Sequence, residues 1–539
     1  MKTKMHLLAG TAAALALLAG TQALAEAHMN LADEQVFTYS EISDAPSIDP
    51  GLVEDVHGSD IARDLFEGLM NQDPQGNLIP GVATGYEASD DGMTYTFTLR
   101  DNAKWSNGDP VTAQDFVYAW QRAASPELAS PYSWYLSLMA IENVDAVIEG
   151  EMAPSELGVT AVDDYTLEVR LTQPLPYFPQ MVTHATTFPI HQATVEAHGD
   201  AWTQPGNMVS NGAYVLSEWV PQERMVRTKN DQYWDAENTV LEEVVTLIIA
   251  DENQALTRYL AGELDKVGVP AGQFPRLSEE YPDQATSVPS LCSYYYMFNL
   301  RDTGPEWAKD VNVRQALNLT IDRDVIVENV LAGGQYPAYT FTPGATAGFE
   351  VPSVEIAGMS MEDRIAKAQE LMAAAGYGED NPLTVNLVYN TSDSHRSIAV
   401  AISQMWKQAL GVDTELANQE WQTFLEARSN GDYDVARGGW CGDYNEASTF
   451  LDLMESGSGY NDSKFVNEEV DQILAEAKTA EDTTPLYTRV EEIIAEEVPI
   501  MPIYHYTSVF MLNPNVKGWP YENVQTTWYS KDLYITADE

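Results

Sequence analysis

Strand-like and helix-like segments alternate along the whole chain, and this alternation limits the folds open to it more than any other feature. The run from Met93 to Leu99 alternates apolar and polar residues, which predicts a strand with one buried face. Thr112 followed by Asp115 predicts a helix start, and a second start at Ser360 leads a helix that ends before Gly376. The pattern contains no short-period repeat, so it favours mixed α/β domains.

The second half of the chain continues this alternation. A helix is predicted to stop at Gly411, an extended run follows it, and Trp421–Arg428 predicts another helix. Tyr433–Arg437 predicts a strand that leads into Gly438-Gly439. A length of 539 residues corresponds to about three domains.

The N-terminus has the three parts of a secretory signal. Lys2 and Lys4 precede an apolar run over 7–18, and Ala23-Leu24-Ala25 places small residues before the predicted cleavage point after Ala25. The alternative is a cytosolic amphipathic helix. We see no later apolar stretch near the roughly 20 residues that a membrane helix needs. The sequence therefore predicts an exported, soluble protein.

The charge of the chain is strongly negative. Lys and Arg number 28 against 82 Asp and Glu, which gives a formal net charge of −54. Such a surface repels nucleic acid, and there is no basic patch to offset it. The acids are dispersed and do not form one tail, which indicates a solvated surface. Our hypothesis for this acidic surface is a saline environment, in which salt screens the self-repulsion.

The inventory of reactive residues is small. The two cysteines, Cys292 and Cys441, favour a disulfide in an exported protein, with two buried thiols as the alternative. The eight histidines include no HExxH arrangement, so we expect no metal site and no cofactor. His395 stands without the partners of a catalytic triad, and no nucleotide-binding or hydrolase motif is present. We therefore expect the protein not to be an enzyme.

One stretch, Arg437–Glu446, combines groups that suit a ligand. Its glycines let a ligand approach the backbone, Trp440 offers an apolar face, and Asp443 follows the predicted strand. If Cys292 is joined to Cys441, the aromatic run over 294–296 lies alongside. A carboxylate among aromatic rings suits a small cationic group. The alternative is structural, with glycines forming a bulge, Trp440 in a core and Asp443 as an exposed turn acid.

The run from Tyr433 to Glu446 closely resembles the ligand-site segment of the periplasmic oligopeptide-binding proteins, which form the extracytoplasmic solute-binding family 5 of ABC importers. The resemblance covers nearly the whole mature chain. Further segments that carry it are Arg63–Leu69, Asn102–Gly108, Trp202–Pro205, Asn211–Tyr214, Leu291–Tyr296, Asn390–Asp393 and Asn418–Trp421.

The resemblance implies an α/β fold with two lobes, three domains, mixed sheets and a hinge between the lobes. By position, residues 26–66, 190–291 and 508–539 form the lobe that holds both termini. Residues 67–189 form a small extra domain, and residues 292–507 form the second lobe.

The resemblance also implies a role for individual residues. Asp443 matches the aspartate that pairs with the α-ammonium of the peptide, Tyr132 matches a tyrosine that assists it, and Cys292 and Cys441 match the disulfide beside the site. Basic residues toward the carboxylate end of the peptide correspond to Arg437, His395 and Arg428. Groove or pocket positions correspond to Glu54, Trp421, Trp440 and Tyr295. We also expect Gly439 and Cys441 to contact the ligand. Arg428 and Glu54 could equally pair with each other.

Two positions depart from the family pattern. A lysine near the carboxylate end aligns with Leu331, and a pocket glutamate aligns with Met297. These departures imply fewer carboxylate contacts for the shortest peptides and a weaker preference for basic side chains.

The function implied is that of a periplasmic, monomeric component that binds short peptides largely independently of sequence and delivers them to an inner-membrane ABC permease. The alternatives are a receptor for muropeptides or for another family ligand such as a nickel chelate, a secreted peptidase, and a holdase for unfolded chains.

Overall fold

The computed structural model describes residues 30–537, in which helices and mixed sheets alternate along the chain. The predicted signal segment with its cleavage point after Ala25 lies outside the described residues. Within residues 30–537, no helix combines the length and the apolar character needed to cross a membrane.

The strands are numbered along the chain. They are β1 (Val36–Glu41), β2 (Met70–Gln72), β3 (Leu78–Pro80), β4 (Ala83–Ala88), β5 (Thr94–Leu99), β6 (Val159–Asp163), β7 (Thr166–Arg170), β8 (Tyr214–Val220), β9 (Arg224–Lys229), β10 (Glu243–Ile248), β11 (Lys266–Gly268), β12 (Ala285–Phe298), β13 (Tyr336–Pro337), β14 (Thr384–Asn390), β15 (Asp413–Gln419), β16 (Val435–Cys441), β17 (Ile500–Leu512), β18 (Val516–Lys517) and β19 (Tyr534–Ile535).

The α-helices connect these strands. They are Val56–Leu65, Ala113–Ala124, Ser133–Leu138, Val144–Ile148, Phe178–Met181, Gln192–His198, Glu252–Leu260, Phe274–Glu280, Glu306–Lys309, Val311–Leu319, Arg323–Val325, Glu355–Gly358, Met361–Ala374, Asp393–Leu410, Trp421–Asn430, Ser448–Leu451, Glu468–Ala477 and Thr484–Glu497. A π-helical turn covers Ile326–Leu331, and short 3₁₀ turns cover Pro154–Glu156, Ala185–Thr187, Gly199–Thr203, Asp452–Met454 and Ser530–Asp532.

One mixed sheet runs through most of the chain, in the order β15-β14-β16-β12-β17-β11-β1-β10-β9-β8. We call the part with β1 and β8–β11 the first lobe, and the part with β14–β16 the second lobe. In each lobe a central strand has parallel neighbours: β1 lies parallel to β10 and β11, and β14 lies parallel to β15 and β16. Loops that leave the carboxyl ends of parallel strands commonly form a binding crevice.

Two long strands, β12 and β17, link the lobes. They pair antiparallel with each other from Ala285↔Met511 to Met297↔Ile500, and the register shifts between Pro289 and Ser293. At the first-lobe end β17 pairs with β11, and at the second-lobe end β12 pairs with β16. The connection between the lobes is therefore a two-stranded ribbon.

A separate antiparallel sheet, β4-β5-β7-β6, is formed by residues between the first two blocks of the first lobe. The helix Ala113–Ala124 buries Phe116 and Trp120 completely, and the Trp120 indole N–H donates to the carbonyl oxygen of Thr187 at 2.8 Å. We call this part the small domain. It holds Tyr132, one of the candidate site residues.

The predicted elements that carry clear start and stop residues are confirmed. The Thr112 N–H donates to Asp115 at 2.7 Å ahead of the helix Ala113–Ala124, and Ser360 caps the helix Met361–Ala374. Gly411 and Gly431 follow the helices Asp393–Leu410 and Trp421–Asn430 with positive φ, where a glycine is not strained.

One predicted boundary differs. The strand expected over Tyr433–Arg437 is β16, which continues through both glycines to Cys441. A bulge at Gly438-Gly439 is wrong, because the pairing with β12 is continuous from Cys292↔Cys441 to Phe298↔Val435.

Candidate functional site

A cavity of about 420 Å³ lies where the two lobes and the small domain meet. Its walls include residues from all three parts of the chain. Of the site residues expected from the sequence, the structure places ten on these walls: Glu54, Tyr132, His395, Trp421, Arg428, Arg437, Gly439, Trp440, Cys441 and Asp443.

The strand β16 forms one wall of this cavity. Side chains alternate along a strand, so Arg437, Gly439 and Cys441 share one face. Cys441 lies directly opposite Cys292 on β12, and the two form a disulfide. The disulfide fixes the end of β16 next to the cavity, immediately before the loop that carries Asp443.

Asp443 is a carboxylate held away from water, with its side chain 10% exposed. The Tyr132 hydroxyl, from the small domain, lies 3.3 and 3.5 Å from its two carboxylate oxygens and donates to them. Burial raises the pKa of Asp443 to about 8, although the Tyr132 hydrogen bond lowers it. A buried carboxylate of this kind favours a cation beside it. The alternative of an exposed turn acid is therefore wrong.

His184 lies next to Asp443 but supplies no positive charge. Its Nε2 is 3.5 Å from Asp443 Oδ1. Burial, followed by the charge of Arg63, lowers the pKa of His184 to about 3, so the ring is neutral. Its Nδ1 accepts the Thr186 N–H, which places the ring proton on Nε2. Within residues 30–537 no lysine or arginine forms an ion pair with Asp443.

Arg437 is a buried cation in the same cavity as the Asp443 carboxylate. Its Nη2 donates to the Tyr506 hydroxyl at 2.7 Å, and its guanidinium lies over the Tyr294 ring at 5.0 Å. Burial would lower the pKa of Arg437, but the neighbouring tyrosines, Tyr506 first, raise it, so the side chain stays charged. Its Nε is buried without a hydrogen-bond partner. No carboxylate of the described chain forms an ion pair with this guanidinium.

The Arg437 side chain lies across Gly439. A Cβ at Gly439 would stand 2.7 Å from Arg437 Nη2, so any larger residue would displace the guanidinium. Gly439 therefore permits the position of Arg437 and leaves the backbone of β16 open to the cavity.

His395 lies in the first turn of the helix Asp393–Leu410 and faces the same cavity. Burial, followed by the charge of Arg437, lowers the pKa of His395 well below its usual value, so its ring is neutral. Its Nδ1 is buried without a hydrogen-bond partner, as are Trp440 Nε1 and Asn390 Oδ1 on the same walls. These atoms are available to a polar ligand.

Arg428 and Glu54 do not pair with each other. Arg428 forms an ion pair with Asp462 at 2.7 Å, and both side chains are nearly buried. Glu54 accepts a hydrogen bond from the Tyr460 hydroxyl at 3.1 Å. Arg428 is therefore already neutralised by Asp462, whereas Arg437 is not neutralised by a carboxylate.

Two aromatic groups close the cavity. Trp421 Nε1 donates to Asp55 Oδ2 at 2.9 Å, which joins the second lobe to the first. Trp440 lies parallel to Tyr132, with ring centroids 6.3 Å apart, and Tyr460 packs against both rings. This apolar boundary keeps water from the region of Asp443.

Three positions expected near the ligand lie elsewhere. Tyr295 does not line the cavity: its ring covers Gly438 and meets Phe341 edge to face at 5.0 Å. It lies directly opposite Gly438, whose missing side chain leaves room for the tyrosine ring. Met297 and Leu331 are buried in apolar clusters and do not line the cavity, so the geometry does not support the effects on ligand choice that we expected from them.

Sequence reasoning missed His184, Tyr460 and Tyr506. Each stands in the sequence without a motif, and each reaches the cavity from a different element. Tyr506 lies where the pairing of β17 with β12 is irregular, and no local pattern indicates its contact with Arg437. Within residues 30–537, no group of three or more His, Cys, Asp or Glu side chains could hold a metal ion.

Comparison with known proteins agrees with this geometry. The model of the bacterial extracellular solute-binding proteins, family 5 (middle region), matches residues 77–462. The periplasmic murein peptide-binding protein MppA of Escherichia coli is 46% identical over 500 residues, which cover 92% of each chain. The periplasmic oligopeptide-binding protein OppA of E. coli is 43% identical over 541 residues, which cover 99% of each chain.

Solved structures share the fold. A structure of the E. coli murein tripeptide-binding protein MppA matches with a TM-score of 0.92 and 44% identity, covering 94% of this chain and all of that one. Haemophilus influenzae OppA in complex with the peptide RPPGFSPFR matches with a TM-score of 0.90 and 38% identity, covering 94% of this chain and all of that one. The unliganded open form of MppA gives a TM-score of only 0.68, covering 94% of this chain and 99% of that one.

The difference between these scores concerns the arrangement of the lobes, because the two MppA structures are equally identical to this chain in sequence. The second lobe of this chain meets the small domain through Asp443 and Tyr132, and it meets the first lobe through Trp421 and Asp55. The chain belongs to the bacterial extracellular solute-binding proteins of family 5, and it has their two-lobed α/β fold.

Proposed function

We propose that this protein binds short peptides with a free α-amine, largely independently of their sequence, and delivers them to an ABC permease. The observation that carries the proposal is Asp443, a buried carboxylate that faces the cavity without a cation. The α-ammonium is the one cation that every unmodified peptide has. A site that recognises it selects the end of the peptide and not its side chains.

Arg437 supports the other end of the same ligand. A buried guanidinium without a carboxylate partner suits the carboxylate of a peptide, and the neutral His395 beside it can add a hydrogen bond. The cavity thus presents a positive group on β16 and a negative group on the loop that follows it, which matches a zwitterion.

The backbone of β16 supports an extended ligand. Its pairing with β14 covers only Val435 and Ala436, so within the described chain no strand occupies that edge from Arg437 to Cys441. An extended peptide can pair with such an edge through main-chain hydrogen bonds, which are independent of sequence. The bound peptide of H. influenzae OppA shows that a relative with this fold accepts a peptide ligand.

A murein peptide is the second candidate. The relative named for it is 46% identical to this chain, and its structure has a TM-score of 0.92. A competition experiment distinguishes the two candidates. If a murein tripeptide displaces trialanine when it is present at a much lower concentration than trialanine, the murein ligand is favoured. We expect no hydrolysis of fluorogenic peptides, with or without chelator.

The cellular setting and the domain division follow from the same proposal. The chain would act in the periplasm as a monomer after cleavage behind Ala25, with an inner-membrane permease as its partner. Residues 26–66, 190–291 and 508–539 would move as one lobe and residues 292–507 as the other, with residues 67–189 as the small domain. The two lobe boundaries at 291/292 and 507/508 fall inside β12 and β17, the ribbon that links the lobes.

The test is native mass spectrometry of protein purified from a periplasmic extract, followed by denaturation and sequencing of the released ligand. We expect a mixture of short peptides with unblocked N-termini. A single non-peptide ligand, or peptides with blocked N-termini, would overturn the proposal.

A further inference from the structure

One contact between the lobes lies outside the cavity. The Ser392 hydroxyl donates to Glu252 Oε1 at 2.9 Å, and the Ser394 hydroxyl donates to Glu252 Oε2 at 3.2 Å. Glu252 belongs to the first lobe, whereas both serines belong to the second. None of the three residues lines the cavity.

The contact joins the starts of two helices. Glu252 opens the helix Glu252–Leu260, which follows β10, and Ser392 caps the helix Asp393–Leu410, which follows β14. Asp251 already caps the helix of Glu252 by accepting the Gln254 N–H. The carboxylate of Glu252 is therefore free to reach the other lobe, where the positive end of an 18-residue helix favours a negative charge.

The same helix start holds a cavity residue. The His395 N–H donates to the Ser392 hydroxyl oxygen at 3.3 Å, and the His395 ring lines the cavity. Glu252 thus contacts the turn that positions His395, without reaching the ligand space itself. It contacts this turn only when the lobes are together.

We propose that Glu252 is a positioning residue that holds the lobes closed and thereby sets the lifetime of the bound state. The proposal relies on the proposed function only for the identity of the ligand. A ligand enclosed by both lobes leaves only when they separate, so a bond made solely in the closed form slows its release. Since Glu252 does not touch the ligand, its loss weakens every ligand by the same factor.

The experiment compares the native protein with Glu252→Gln and with the control Glu237→Gln, which removes the same charge from an exposed position of the first lobe. A pair of fluorescent labels, one on each lobe, reports the closed fraction without ligand. Stopped-flow displacement of labelled trialanine reports the dissociation rate. For Glu252→Gln we expect a lower closed fraction and dissociation faster by about 10- to 150-fold, the range for one hydrogen bond to a charged group. Glu237→Gln should behave as the native protein.

Ser394→Ala tests the same contact from the other lobe and leaves the cap residue intact. We expect each single variant to accelerate dissociation and the double variant Glu252→Gln, Ser394→Ala to add little to either one. If the effects of the two substitutions on the dissociation rate were fully additive, the proposal would be overturned. It would also be overturned if Glu252→Gln had the same closed fraction and the same dissociation rate as the native protein.

A change in affinity confined to some peptides would also overturn the proposal, because it would mean that Glu252 contacts the ligand. The measurement without ligand separates this inference from the proposed function. If peptides do not bind at all, the closed fraction of Glu252→Gln still decides whether Glu252 holds the lobes together.

Discussion

Replacement of Asp443 by asparagine removes one negative charge from the cavity and keeps the size of the side chain. The pKa of Asp443 is about 8 against an ordinary 3.8, and one pH unit corresponds to about 1.4 kcal/mol. To keep this carboxylate ionised in the empty closed cavity at high pH therefore costs about 6 kcal/mol. A bound ammonium offsets much of this cost, and an asparagine never incurs it.

We expect Asp443→Asn to weaken the binding of trialanine by about 2–5 kcal/mol, the usual loss when one partner of a buried charge pair is removed. This corresponds to about a 30- to 5,000-fold higher Kd. Isothermal titration calorimetry at pH 7 with trialanine and N-acetyl-trialanine measures the effect directly. The native protein should prefer the free amine by a similar factor, and the variant should bind both peptides about equally.

Tyr132→Phe is the matched control, because it removes the hydroxyl that donates to Asp443 but leaves the charge. It should cost about 1 kcal/mol of trialanine binding, much less than Asp443→Asn. Equal affinity of native protein for the free and acetylated peptides would refute the reasoning. A loss of less than 1 kcal/mol in Asp443→Asn would refute it as well.

Three further outcomes follow from the same geometry. Closure without ligand buries Asp443 and raises its pKa from 3.8 to about 8, whereas burial of the neighbouring His184 lowers the pKa of that ring from 6.5 to about 3. Below pH 6.5 the proton that His184 releases offsets the proton that Asp443 takes up, but between pH 6.5 and 8 Asp443 dominates, so the closed fraction should fall over this range, by up to about tenfold per pH unit in the closing constant. A flat fluorescence signal between labelled lobes from pH 6.5 to 8 would contradict this. Arg437→Gln should weaken trialanine by about 2 kcal/mol but trialanine amide much less, as measured by calorimetry, and equal losses would exclude a contact with the carboxylate. Gly438→Ala places a Cβ 2.3 Å from the Tyr295 ring and should lower the free energy of unfolding by about 1–3 kcal/mol in urea, while Gly268→Ala, where nothing lies within 4 Å, should not.

The sequence was sufficient for elements whose ends are fixed by neighbouring residues. Thr112 with Asp115, Ser360, Gly411 and Gly431 act within one turn of the chain, so their positions alone predict where helices begin and end. The end of β16 could not be predicted this way. Gly438 and Gly439 are unfavourable strand residues in isolation, and they are kept in the strand by pairing with β12, which lies over 130 residues earlier.

The candidate site, too, has some features that the local sequence predicts and others that depend on distant parts of the chain. Asp443 and Arg437 stand out because the segment around them resembles a family, but their burial depends on Tyr132 and Tyr506, which arrive from distant parts of the chain. The position of Tyr295 on the opposite strand face depends on the register between β12 and β16. A shift by one residue would have moved it to the strand face that carries Arg437. Register across distant strands is not encoded in any local pattern.

The ribbon of β12 and β17 has a consequence for selectivity. A pair of hydrogen-bonded strands bends across its plane more easily than it stretches, so we expect the lobes to separate by rotation about the ribbon and not by sliding past each other. A ligand too large for the closed cavity would hold the two lobes apart by an angle, and that angle would increase with the size of the ligand. If the chain delivers its ligand to a permease as proposed, this angle would make the size of the ligand detectable at the outer surface of the lobes.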